Sequence, residues 1–145
     1  MLTLDDIKQL IPHRNPFLWL DEVVEISDDR IHARKHISPD LAVFQGHYPD
    51  FPVLPGVLLC ESAFQAAAVL IARSLTEPTD KVPVVTRQNN TQFRRMVRPG
   101  ETTDIHVRVT ERLGGAVFFA GTVRVDGQVA VRLEFAAALA GGKES

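Results

Sequence analysis

The sequence predicts an α+β fold in which an antiparallel sheet wraps one long central helix. Three observations predict it. Gly56 to Ser74 has no proline and no internal glycine, and it is apolar nearly all the way round. A helix of that kind is buried on most sides. Everything after it reads as strands, with turn signals at Gly114-Gly115 and Asp126-Gly127. A further hairpin precedes it, so strands from both halves of the chain must cover one helix.

The elements follow in order. Thr3 precedes Leu4, Ile7, Leu10 and Ile11, which share one helical face. Thr3 caps this short helix, Asp6 favours its N-terminus, and Pro12 stops it. Phe17 to Ile26 is rich in Leu, Val and Trp and reads as a strand; Ser27-Asp28-Asp29 turns the chain. Arg30 to Ile37 alternates, with Ile31, Ala33 and Ile37 on one side and Arg30, His32, Arg34 and His36 on the other. Ser38 to Pro55 holds Pro39, Gly46, Pro49, Pro52 and Pro55, and is neither helix nor central strand. After the helix come strands at Val82–Thr86 and Thr91–Val97, ended by Arg98-Pro99-Gly100. Ile105 to Val109, Ala116 to Val125 and Val129 to Phe135 complete an antiparallel meander. Residues 1–140 form one domain, and the tail 141–145 is expected to fray.

Composition bounds the function. The chain has 145 residues and a formal net charge of −2. A domain of this length buries roughly 68–70% of its unfolded surface and needs no staple. The near-neutral balance argues against a nucleic-acid binder that relies on global positive charge. Cys60 is alone, so no internal disulfide forms, and the simplest compartment is the reducing cytoplasm, a cysteine-poor exported protein remaining open. A membrane span is not expected, because the uncharged stretch Ser62–Ala72 falls short of the ~20 residues needed. The N-terminus carries Asp5 and Asp6 where a signal peptide would be basic.

The long helix has a single charge in its first four turns, Glu61, set between Val57, Leu58, Leu59 and Cys60 and the residues Ser62, Ala63 and Phe64. Burial there raises a carboxyl pKa; alternatively the side chain reaches solvent or pairs with an arginine. His47 lies just upstream in a loop restrained by Pro49, Pro52 and Pro55. A held imidazole beside a buried carboxylate is an acid/base pair in outline, and a loop-bracing histidine is the plainer alternative. Gly56 opens the helix, where the first N–H groups lack internal partners and a ligand can approach the backbone. A base, an acid and an oxyanion donor thus fall between His47 and Glu61. That set suits proton abstraction next to a thioester carbonyl coupled to loss of a hydroxyl.

These residues carry a resemblance. Phe44-Gln-Gly-His-Tyr-Pro, Pro52-Val-Leu-Pro-Gly-Val, Glu61 and Gln65 resemble the (3R)-hydroxyacyl-[acyl carrier protein] dehydratases, which have the hot-dog fold. Ile11-Pro-His-Arg-Asn-Pro-Phe-Leu, Phe93-Arg-Arg, Val97-x-Pro-Gly-Glu and Asp126-Gly127 extend the likeness over about residues 8 to 139. The resemblance implies that His47 takes the C2 proton of a 3-hydroxyacyl thioester and that Glu61 protonates the leaving hydroxyl. It implies that the Gly56 N–H polarises the thioester carbonyl and that Gln65 positions the substrate or the acid. Val57, Phe51, Val84 and Val85 would line the substrate tunnel. The implied partner is acyl carrier protein with its phosphopantetheine-linked chain. The implied assembly is a homodimer with His47 of one subunit facing Glu61 of the other, and a hexamer of three dimers is the common larger form. No metal or redox cofactor is implied.

The sequence departs from the family at Asp50-Phe51, at Val84-Val85 where aromatics are usual, at Arg87-Gln-Asn-Asn90, and at Met96. Tunnel mouth, chain length and pathway, whether fatty acid, polyketide, polyene or lipid A synthesis, therefore stay open. Arg87, Arg94, Arg95 and Arg98 have no acid between them and suit docking of an acidic carrier, or else form a solvated strand face. His32 and His36 lie about four strand steps of ~3.3 Å apart, too far for one ion, and read as solvated. An acyl-thioester hydrolase and a non-catalytic carrier-binding subunit are the alternatives. Intact His47, Gly56 and Glu61 argue against the first, and Val84-Val85 keeps the second in view.

Overall fold

Thr3 and Asp6 start the chain with a reciprocal cap in the computed structural model, which describes residues 1–141. Asp6 N donates to Thr3 Oγ1 at 3.2 Å, and Thr3 N donates to the Asp6 carboxylate at 2.9 Å. The helix they open, α1 (Leu4–Leu10), buries Ile7 against the domain core. The first hairpin follows as β1 (Glu22–Ile26) and β2 (Arg30–His36), paired antiparallel and closed by Ser27 N donating to Arg30 O. Its inward face holds Ile31 and Ala33, as the alternation predicts.

The expected start of the first strand at Phe17 is not observed. Leu18, Trp19 and Leu20 are buried, but their backbone is irregular. The reason lies in a side chain: Trp19 N donates to Gln65 Oε1 and Phe17 O accepts from Gln65 Nε2. Main-chain groups committed to a glutamine on another element do not join a ladder. Ser38 to Pro55 is irregular as expected, apart from one 3-10 turn at Ala42–Gln45.

Helix α2 (Gly56–Ser74) has the predicted bounds. It is long and apolar enough to cross a membrane by composition, yet most of it is buried inside this domain. Its buried positions include Leu59, Ala63, Ala66, Ala67, Val69 and Leu70. Burial is incomplete at its start, where Val57 is 70% exposed.

The remaining strands are β3 (Lys81–Phe93), β4 (Thr102–Leu113), β5 (Ala116–Val125) and β6 (Gln128–Gly141). Two corrections apply. The two strands expected after the helix are one, because the polar stretch Arg87–Asn90 is absorbed by register shifts at Val85/Arg87 and Asn89/Gln92, with Asn90 left-handed at φ 51°. That strand ends at Phe93 rather than Val97, since the N–H groups of Arg94 and Arg95 both turn to Ala130 O. The sheet order is β1-β2-β4-β5-β6-β3, so the meander covers only β4 to β6. The α2 crossover carries the chain from β2 to the opposite edge, and β3 pairs there with β6.

The sheet wraps α2 as the hot-dog fold. Phe135 sits at the contact, edge-on to Phe64 of the helix at 4.9 Å and stacked on Phe119 at 5.1 Å. Gly141 still pairs with Lys81. The rest of the expected frayed tail, 142–145, lies outside the described residues.

Candidate active site

His47 is held, as the three prolines suggest. Its Nδ1 lies 2.8 Å from Val53 O. A carbonyl only accepts, so Nδ1 carries the hydrogen and the neutral ring presents Nε2 as a base. The hydrogen bond that a bracing role would require is therefore also the one that frees the reactive nitrogen. Tyr48, next in the chain, adopts a left-handed φ of 52° and tilts its ring against the imidazole at 4.5 Å. Backbone held in that region by a non-glycine residue is strained.

Glu61 occupies the second turn of α2. Burial pushes its carboxyl pKa up from the usual range; the Gln65 hydrogen bond and the nearby His13 pull it down and do not prevail. Among the described residues no arginine pairs with it, which removes that reading of the sequence. Gln65 Nε2 donates to Glu61 Oε2 at 3.0 Å, one helical turn away. Gln65 itself is fully buried, and its remaining bonds run to Trp19 N and Phe17 O. The acid is thus fixed from behind by a glutamine that is fixed in turn by the backbone.

Gly56 opens α2 with no side-chain cap at Pro55. A Cβ placed on Gly56 would stand 2.7 Å from Phe93 Cε1, so the ring of Phe93 lies against the helix N-terminus and would have to move to admit a side chain there. Phe93 is 56% exposed, as are, to similar extents, Phe51, Met96 and Tyr48; Val84 and Val85 on β3 are more than one-third exposed. Val57, beside Gly56 at the start of α2, is exposed as well. The expected tunnel residues Val57, Phe51, Val84 and Val85 are therefore all open to solvent in the single chain.

His47 and Glu61 are not joined in one chain: among the described residues, no hydrogen bond or ion pair links them. The arginine cluster also divides. Arg95 grips Glu101 with both terminal nitrogens, at 3.1 and 2.6 Å, and holds its carboxyl below the usual range. That acid stands six residues downstream, where the sequence spacing offers no hint of it. Arg98 lies over the Phe51 ring at 5.6 Å, beside the His47 loop. Arg94 bonds Gln92 and faces the outer sheet groove with Arg108, Arg124 and Arg132. Arg87 is exposed on β3.

Two further residues need reassignment. His32 is not a freely solvated face residue: it bonds Asp104 at 2.8 Å and stacks on His106 at 4.1 Å. His13, which lies in the Ile11–Leu18 segment of the resemblance without an implied role there, stands 3.9 Å from Glu61 Oε2. Cys60 is buried and accepts a hydrogen bond from Gln88, consistent with packing.

Comparison with known proteins bears on this geometry. The family model described as FabA-like domain matches residues 11–134. A relative in Rickettsia bellii, a 3-hydroxyacyl-[acyl-carrier-protein] dehydratase FabZ, is 40% identical over 94% of this chain and 96% of its own. A protein of the same name in Anaeromyxobacter dehalogenans is 42% identical over 97% of this chain and 92% of its own. Among solved structures, the dehydratase heterocomplex ApeI:P from Xenorhabdus doucetiae aligns with a TM-score of 0.79 at 20% identity, over 95% of this chain and 93% of that one. The thioesterase HI1161 from Haemophilus influenzae aligns at 0.69 and 18% identity, over 99% and 94%. These two structures share the fold. With the family model and the relatives in agreement, the chain belongs to the FabA/FabZ-like family of hot-dog dehydratases.

Proposed function

We propose that the protein dehydrates 3-hydroxyacyl thioesters borne on acyl carrier protein to trans-2-enoyl thioesters. The observation that carries this reading is the complementary state of two side chains. His47 has its Nδ1 hydrogen committed and its Nε2 available to accept. Glu61 is pushed by burial toward the protonated form and is held by Gln65. A base ready to accept and an acid ready to give are what elimination of water across C2–C3 needs.

The thioester oxygen sits at the N-terminus of α2, where the Gly56 N–H has no intrahelical partner. His47 Nε2 removes a proton from C2, and the developing negative charge is stabilised by that N–H. The C3–O bond breaks as Glu61 delivers its proton to the hydroxyl, which leaves as water. The proton on His47 then passes to solvent and Glu61 is reprotonated, so no atom is unaccounted for. This chain's residues carry every step of that scheme without a cofactor.

His47 of one subunit serves Glu61 of another in this reading, which is supported by the lack of any hydrogen bond or ion pair between the two among the described residues of one chain. The exposed apolar residues Val57, Val84, Val85 and Phe93 support a second copy as their cover, with the β3 edges adjoining. The acyl chain would run between the two copies. Arg98 and Arg87 lie where they could attract an acidic carrier; Arg95 is committed to Glu101 and contributes less.

The test is turnover of 3-hydroxyacyl thioesters by the wild type, His47→Ala and Glu61→Gln. Losses of about 10²–10⁴-fold in both variants are expected. Equal activity in all three would overturn the assignment, as would release of free thiol without enoyl product, the signature of a hydrolase. Carrier binding with no turnover would mark a non-catalytic subunit.

A further inference from the structure

Among the described residues Glu61 has two polar side-chain partners, and only Gln65 was expected. The second is His13, in the segment between α1 and β1, whose Nε2 lies 3.9 Å from Glu61 Oε2. That is too long for a hydrogen bond and short enough for a strong charge interaction. The rest of the ring braces nothing, since its Nδ1 is buried without a hydrogen-bond partner among the described residues. A buried polar atom left unpaired is unfavourable, and such a group calls for a reason. The single polar contact of this imidazole is the carboxylate.

The same segment carries the groups that hold Gln65. Phe17 O and Trp19 N bond that carboxamide, and His13 stands a few residues earlier. One stretch of backbone therefore places both neighbours of Glu61. Arg14, next to His13, directs its guanidinium to the carbonyl oxygens of Lys8, Ile11 and His13 rather than to Glu61. From β3, Gln88 bonds Cys60. The outer-face groups of β2 and β4, His32, Arg34, Asp104 and His106, bond or stack among themselves. His47 would face Glu61 from the partner in the proposed dimer. Among the described residues, His13 is the one titratable group of the same chain that pairs with Glu61.

We propose that His13 is a positioning residue for the Glu61 carboxyl, orienting it and setting its readiness to release a proton. In its charged form His13 favours the ionised carboxylate; in its neutral form it lets Glu61 keep its proton. The inference rests on Glu61 being the proton donor of the proposed reaction.

The experiment measures the pH dependence of kcat and kcat/KM for the wild type, His13→Gln, His13→Arg and Glu61→Gln. His13→Gln keeps a donor and removes the cation, so the limb reporting ionisation of Glu61 moves to higher pH, by roughly one unit. His13→Arg keeps a cation, so its limb stays at or below the wild-type position. A structural role alone would lower activity in both without separating the limbs. Unmoved limbs in both His13 variants, with Glu61→Gln inactive, overturn this inference and leave the reaction standing. Full activity in Glu61→Gln overturns the reaction itself. If the variants do not fold, the wild type decides: the Glu61 carboxyl ¹³C resonance must shift as the His13 ring nitrogens titrate, and an indifferent resonance overturns the proposal.

Discussion

Gln65 reaches back one helical turn to Glu61 and donates to its Oε2 at 3.0 Å, while its own oxygen accepts from Trp19 N at 2.7 Å. A single buried carboxamide therefore ties the acid of α2 to the segment that follows α1. It also explains why that segment is not a strand. The fixing of the Glu61 carboxyl and the loss of regular structure before β1 share one cause.

Replacing Gln65 with Leu keeps the volume roughly constant and removes both bonds to the backbone. Trp19 N–H is then left unpaired in the core, and Phe17 C=O loses its partner at a part-buried position. A buried group left unpaired costs about 1–3 kcal/mol and the part-buried carbonyl, which water can reach, about 1 kcal/mol or less, so urea unfolding should show a loss of about 1–4 kcal/mol. Turnover should fall as well, because the Glu61 carboxyl loses its anchor. Unchanged stability would show that water or backbone movement rescues both groups.

Gly56→Ala separates fold from function. The new methyl meets the Phe93 ring at 2.7 Å, but that ring is largely exposed and can swing aside. Stability should therefore stay within about 1 kcal/mol of the wild type. Activity should not: a methyl and a displaced ring crowd the helix N-terminus proposed to bind the thioester oxygen. A loss of about 10²–10³-fold in kcat is expected, comparable to removal of an oxyanion donor. Wild-type kcat would place the oxyanion site elsewhere.

Much of this was legible in the sequence, and the gaps have physical causes. The bounds of α2 are visible because Pro55 and Gly56 mark its start and no breaker interrupts it. His47, Gly56 and Glu61 are visible because they lie close in sequence around that start. The role of His13 is not, since its segment carries the resemblance without marking this residue; its contact spans many residues and depends on how the segment packs on α2. The Arg95–Glu101 pair is hidden for a related reason, because the turn at Pro99-Gly100 folds the acid back. The polar stretch Arg87–Asn90 falls between the two strands expected from the sequence and is a bulged part of β3, where partner pairing outweighs local propensity.

The raised pKa of Glu61 makes a prediction about stability. The unfolded chain ionises this carboxyl near its ordinary value of 4.5, while the folded chain holds the proton to higher pH. Between those two values the native state binds more protons, so folding stability declines as pH rises. Glu61→Gln lacks that decline. The variant's melting temperature, relative to the wild type, should therefore increase from pH 4.5 upward and level off above the folded-state pKa. A difference that is flat with pH, or that falls, would mean Glu61 is not protonated preferentially in the folded protein.

The separation of His47 from Glu61 within a chain permits a sharper test than either substitution alone. In the proposed dimer, each site takes His47 from one copy and Glu61 from the other. Mixed His47→Ala and Glu61→Gln chains would then form heterodimers with one doubly altered site and one wild-type site. If half the dimers are mixed, about a quarter of wild-type activity should return from two inactive preparations after unfolding and refolding together. Val84→Asp, which sets a charge on the exposed β3 surface, should prevent that recovery and leave a folded monomer in sedimentation measurements. The monomer should be inactive although its own His47 and Glu61 are intact. Recovery that fails while the mixed dimers demonstrably form would mean that each chain builds its site alone, with a movement of the His47 loop toward α2 that the single chain does not display.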